Sequence, residues 1–141
     1  VEKREQLMKK AKDIVLAFYQ SDAWKNPKTL KEFLHPDYLQ YWHSPQGLVT
    51  YTYDSVVDHM KDLREKYASF GVIISHCVSE DDKVVLRYSV YSAPFDQPES
   101  QELHGHFIAI WEVKGDKLYR CYEVSAPPDS SLKSLQSFQA V

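Results

Sequence analysis

Glu123 stands in the run KLYRCYEVS, where strand alternation puts it on the same side as Tyr119 and Cys121. A carboxylate on an apolar, aromatic face loses hydration. Its charged form is then disfavoured, and it becomes a candidate general acid or base, the more so beside an imidazole. His43 can supply that imidazole. In the run YLQYWH it shares a side with Tyr41, and histidine is the side chain that ordinarily titrates near neutral pH. The expected catalytic set is therefore His43, Glu123 and Tyr41. Two other arrangements stay open. His43 can stack passively with Trp42 and Tyr38, and Glu123 can sit solvated at a rim, which one bulge would produce by turning Tyr122 and Val124 inward.

A second cluster, His104-Gly105-His106 with Glu112, has the strand alternation that sends two imidazoles and a carboxylate to one side. Against a metal reading, the Glu follows the second His at a longer spacing than in cupins, no later His completes a set, and the pair is opposite in parity to Phe107 and Trp111. No metal and no cofactor are expected. Cys77 and Cys121 fall on separate strands without ligand spacing, so free thiols are expected rather than a disulfide or zinc site. His59 and His76 are isolated and read as structural or exposed.

The elements that must position these residues follow from periodicity. Residues 101–125 read as two long strands turning at Lys114-Gly115-Asp116, with Phe107, Ala109 and Trp111 on one face and His104, His106, Ile108 and Ile110 on the other. Upstream, Leu7, Met8, Ala11, Ile14, Val15, Phe18 and Tyr19 recur at three and four and predict a helix over residues 2–21. Asn26-Pro27 opens a short second helix that His35-Pro36 ends. YLQYWH reads as a short strand, followed by a loop at Ser44 to Gly47. A third helix, capped by Asp54 or Ser55, carries Val56, Val57, Met60 and Leu63. Two strands, VIISHCVS and KVVLRYSVYSA, precede the hairpin.

With 141 residues, one domain is expected over residues 1–128, leaving 129–141 as a C-terminal tail that either packs or stays loose. A 43% hydrophobic and 13% aromatic content describes a packed globular chain. Seventeen basic against twenty acidic residues give no electrostatic footprint for nucleic acid. No apolar run approaches the roughly 18 residues that a membrane span needs. A cytoplasmic setting is favoured, with a removed signal peptide left open by the initial Val.

The order of elements, the HPDY that leads from the second helix into the first strand, and the closing DKLYRCYEVSAPPD resemble the nuclear-transport-factor-2-like superfamily, in its SnoaL-like polyketide cyclase form, over residues 8–128. The resemblance implies an α+β fold, three helices packed on a curved antiparallel sheet that forms a cone. It makes the first and last strands neighbours and so would bring Tyr41 and His43 across from Glu123. The pocket it implies is lined by Tyr19, Tyr88, Ser92, Phe107, Trp111 and Cys121, with Leu86, Val90, Ala109 and Tyr119 on the same concave face. A small hydrophobic, cyclic molecule is the expected ligand. A homodimer is expected through the convex face, formed by Arg87, Ser89, Tyr91, His106, Ile108, Ile110 and Tyr122. The implied activity is a cofactor-independent isomerase, cyclase or hydrolase, with a non-catalytic binding or interaction module as the alternative. Ala109 and Ile14 fall where ketosteroid isomerases of this fold place an oxyanion-binding Asp and Tyr. No Arg-x-Asp pair is found on a strand for the epoxide hydrolase relay. Neither of those two mechanisms is expected.

Overall fold

The computed structural model describes residues 2–139; the side chains of Glu2 and residues 4–9, including the expected helix positions Leu7 and Met8, lie outside the description. The elements run α1 (Glu2–Gln20), α2 (Pro27–Phe33), β1 (Leu34–Ser44), β2 (Gly47–Thr52), α3 (Tyr53–Lys66), β3 (Tyr67–Glu80), β4 (Lys83–Pro94), β5 (Glu102–Lys114), β6 (Lys117–Ala126) and α4 (Leu132–Ser137). The α+β architecture is as expected. Its sheet has six strands in the order β2-β1-β6-β5-β4-β3, with β1 and β6 parallel and the other neighbours antiparallel.

Local chemistry explains most boundaries. Asn26 caps α2 by accepting the Lys28 N–H, and Pro27 takes the first position, where a missing N–H costs nothing. The cap of α3 is Thr52, not Asp54 or Ser55, because Thr52 and Ser55 satisfy each other's backbone N–H groups in a capping box. Residues 48–52, for which no element was expected, form β2. Gly47 starts it with a φ of 122°, and β2 then pairs back along β1. At the β5–β6 turn Gly115 and Asp116 both have positive φ, as a two-residue hairpin turn of this hand requires.

The helices α1, α2 and α3 cover one face of the sheet. Ala11 and Val15 of α1, Leu30 of α2 and Val56 of α3 meet Val84, Leu86, Tyr88, Ala109, Trp111, Leu118 and Cys121 in one buried cluster. Two register shifts alter the expected faces. Between Glu112 and Val113 the β5–β6 ladder slips, so Leu118 is buried instead of Tyr119, which packs beside His35 under Arg120. A second slip leaves His104 unpaired between Val90↔Gly105 and Tyr91↔Leu103. The HxH alternation is thereby broken. His104 meets Ser92, Tyr67 and Phe70, while His106 meets Ser89 and Phe138, so the two imidazoles share no site.

The tail packs. Phe138 is buried against Arg87 and His106, so three residues expected on an open convex face, Arg87, Ser89 and His106, lie in or beside the tail contact; Ser89 is 1% exposed.

Candidate functional site around Glu123

Glu123 points inward from β6 and is 7% exposed. Both carboxylate oxygens are engaged: Gln40 Nε2 donates to Oε1, and the Tyr88 hydroxyl donates to Oε2 at 3.0 Å. Gln40 is itself oriented. The Tyr38 hydroxyl donates to its Oε1 at 2.7 Å, which leaves the amide NH2 to face Glu123. β1 delivers Tyr38 and Gln40, β4 delivers Tyr88 and β6 the acid, so three strands must be in register for the cluster to exist.

Rings complete the enclosure. Tyr88 stacks on Phe107 at 5.3 Å and lies 5.0 Å from Tyr19, whose hydroxyl accepts the Trp111 Nε1–H at 2.9 Å. Trp42 packs on Phe107 and donates to Ser125 at 2.9 Å. Burial pushes the Glu123 carboxyl above the usual carboxylate range, and the Tyr88 and Gln40 hydrogen bonds draw it part of the way back. Burial, with the charge of Glu123 nearby, likewise raises the Tyr88, Tyr19, Tyr38 and Cys121 protons well above their ordinary values. The result is a carboxyl that takes up a proton more readily than a solvated glutamate, surrounded by phenols and a thiol that stay protonated.

The expected convergence of Tyr41 and His43 with Glu123 does not occur. The β1–β6 register pairs Trp42 with Glu123 and Tyr41 with Tyr122, and partners across a ladder share a face. Tyr41 therefore stacks on Tyr122 at 5.4 Å on the outer side, and His43 is exposed there, paired with Val124. Of the expected lining, Tyr19, Tyr88, Phe107, Trp111 and Cys121 surround the acid, whereas Ser92 lies farther along β4, bonded to His104. Reasoning from sequence missed Gln40, although an amide two residues from each of two aromatics on one strand face was the available signal.

His59, read from sequence as structural or exposed, packs in a structural contact. From α3 this ring stacks on Tyr51 at 4.8 Å, and Tyr51 is the cross-strand partner of Gln40. Burial lowers the His59 pKa, and the Tyr51 phenol is raised by burial and by the Glu123 charge, which places the pair on the acid's side of the sheet. A groove of about 550 Å³ between α1, α2 and the β5–β6 turn, lined by Lys10, Asp13, Ile14 and Phe33 among others, shares no residue with this cluster. Its lining is mostly apolar, it includes the Lys10–Asp116 ion pair, and it holds no buried acid comparable to Glu123.

The SnoaL-like domain profile matches residues 15–121. No curated relative matches significantly. Among solved structures, an LEH-like epoxide hydrolase of Mycobacterium tuberculosis superposes with a TM-score of 0.68 at 12% identity over 84% of each chain. A protein assigned as a SnoaL-like polyketide cyclase from Jannaschia sp. CCS1 gives 0.66 at 12% identity, over 96% of this chain and 95% of its own. A protein with a ketosteroid isomerase-like fold from Catenulispora acidiphila, in complex with trimethylamine, gives 0.62 at 17%, over 78% and 82%. At these identities the structures share the fold, and the profile supplies the family: the chain belongs to the SnoaL-like domain family of the nuclear-transport-factor-2-like superfamily.

Proposed function

We propose that the chain takes a small, hydrophobic, cyclic molecule on the inner face of its sheet and acts on it without a cofactor, with Glu123 as the acid/base. The observation that carries this is the nearly inaccessible carboxyl held by Gln40 and Tyr88 inside an aromatic enclosure. Perturbed acids of this kind cluster at functional sites. Ionised, Glu123 has two donors to steady it; neutral, it can give its proton to a carbonyl or ether oxygen, which fits isomerase, cyclase and hydrolase reactions alike. That a neighbour of this fold was crystallised in complex with trimethylamine supports a small-molecule ligand for this fold. His43 and Tyr41 have no part in this proposal, since they lie on the outer face.

The test is a panel of cyclic ketones, lactones and epoxides offered to the wild type and to Glu123→Gln. Conversion by the wild type that falls by about 10²-fold or more in a folded Glu123→Gln is the expected result. Equal conversion by both overturns the assignment of Glu123.

A second reading, a non-catalytic binding and self-association module, is favoured by the outer face. Ile108, Ile110, Tyr122 and Val124 are all exposed there, on the adjacent strands β5 and β6. We propose that a second copy covers them. Equal ligand binding by wild type and Glu123→Gln, with conversion by neither, would establish that reading.

A further inference from the structure

The segment after β6 returns across the outer face and is fastened by two residues of the sheet. Arg87 of β4 holds the end of α4: its guanidinium donates to Ser137 O at 3.1 Å and Ser137 Oγ at 3.0 Å, and lies 3.8 Å from the centre of the Phe138 ring. His106 of β5 holds the beginning. Its Nδ1 is 2.8 Å from Ser89 Oγ, its Nε2 is 3.0 Å from the Asp129 N–H, and its ring stacks on Phe138 at 5.0 Å and 19°. α4 has six residues, too few to persist alone, and its Leu132 is exposed. The segment therefore depends on these two clamps.

The two clamps differ in kind. Arginine is charged at every accessible pH, whereas the contact from the Asp129 N–H needs a lone pair on His106 Nε2. With Ser89 accepting from Nδ1–H, only the neutral imidazole fits. We propose that residues 129–139 are a proton-gated strap, latched to the outer face while His106 is neutral and released when His106 is protonated.

Protonation puts an N–H of His106 against the N–H of Asp129 and places a second cation on the ring that Arg87 already occupies. The groups facing His106 are Arg87 and Ser89 from β4, Ser134 from α4, and Asp129 from the strap; across β6 its partner is the neutral Ala126. Beyond Arg87, Ser75 of β3 accepts a guanidinium hydrogen bond and contacts His76. The Asp129 carboxylate accepts the Ser131 N–H, which holds it below the usual carboxylate range, and among the described residues it is the anion facing His106. It opposes release in part, as does Asp129 O, 3.3 Å from Nε2. Release would uncover Arg87 and Ser89 on the face that also exposes Ile108.

The test is an NMR titration of the full chain from about pH 8 to about pH 5, across the histidine range. Contacts of the Phe138 ring with Arg87, and the amide shifts of residues 131–138, are followed together with the His106 ring signals. The expected result is loss of the Phe138 contacts and movement of those amides toward unstructured values, with the midpoint of His106. Amides of β4 and β5 hold as a control. Phe138→Ala should show the released spectrum throughout. His106→Gln offers an acceptor that does not titrate and should stay latched at both ends. Strap signals that persist through the titration of His106, or that are lost to the same extent in His106→Gln over the same range, overturn the proposal.

Discussion

Along β6, consecutive residues meet opposite environments. Cys121 and Glu123 are buried under α1, while Tyr122 and Val124 between and beyond them are 42% and 61% exposed. Apolar character does not separate the two sets, since the ionisable group is the one inside. The helices α1, α2 and α3 lie on the inner face, and a carboxyl is retained there because Gln40 and Tyr88 occupy its lone pairs. An apolar side chain inside would serve stability as well or better. The inner face is thus arranged around a buried carboxyl, and the outer face carries the strap on β4 and β5 and the exposed residues of β5 and β6.

The largest expected difference between the faces is in packing. Trp111→Ala removes a buried ring together with its bond to Tyr19, and should lower unfolding stability by about 3–5 kcal/mol in a denaturant titration. Ile108→Ser on the outer face should change monomer stability by only about 0.5 kcal/mol. Comparable losses would break the distinction.

Next is pH. Because the folded state raises the Glu123 pKa, folding binds the proton more tightly than the unfolded chain does. The stability linked to this group is complete below the ordinary carboxylate range and is lost as pH rises through the raised value. Glu123→Gln mimics the protonated form, so its stability relative to the wild type should increase from about pH 4 to about pH 8, by about 1.4 kcal/mol for every tenfold weakening of the acid in the folded state. A constant difference across that range would show a Glu123 that is not perturbed.

Tyr88→Phe sharpens the account of the site. It removes one of the two donors to the ionised acid, so the Glu123 pKa should rise further, at a stability cost near 1 kcal/mol. A carbon-detected titration of the carboxyl would read the direction. Smallest in stability is Tyr122→Ser, which should leave the monomer within about 0.5 kcal/mol of wild type. In sedimentation velocity at micromolar concentration it should dissociate the dimer we propose. A wild type that sediments as a monomer would remove that interface.

Much of the inner face was legible because β4, β5 and β6 alternate cleanly between their ladder slips: Leu86, Tyr88, Ala109, Trp111, Cys121 and Glu123 are all where parity puts them. β1 was not. Its two faces are both aromatic, Tyr38 and Trp42 against Tyr41, so alternation alone could not tell inside from outside, and a one-residue choice moved His43 to the wrong side. The deciding fact is the parallel register of Trp42 with Glu123, a pairing across 81 residues of chain that no local pattern encodes. Tyr119 and His104 were misread for a related reason. Each lies at a ladder slip, and a bulge leaves no trace in hydrophobic periodicity. The packing partner of His59 was not legible, because Tyr51 lies on a strand that the sequence did not announce.

The central claim, that Glu123 is a buried acid poised to move a proton, is tested most directly by a carbon-13 titration of its side-chain carboxyl in the folded wild type. The account predicts a midpoint above the ordinary glutamate value, moving higher in Tyr88→Phe. A midpoint at or below that of a solvated glutamate, unmoved by Tyr88→Phe, would contradict it.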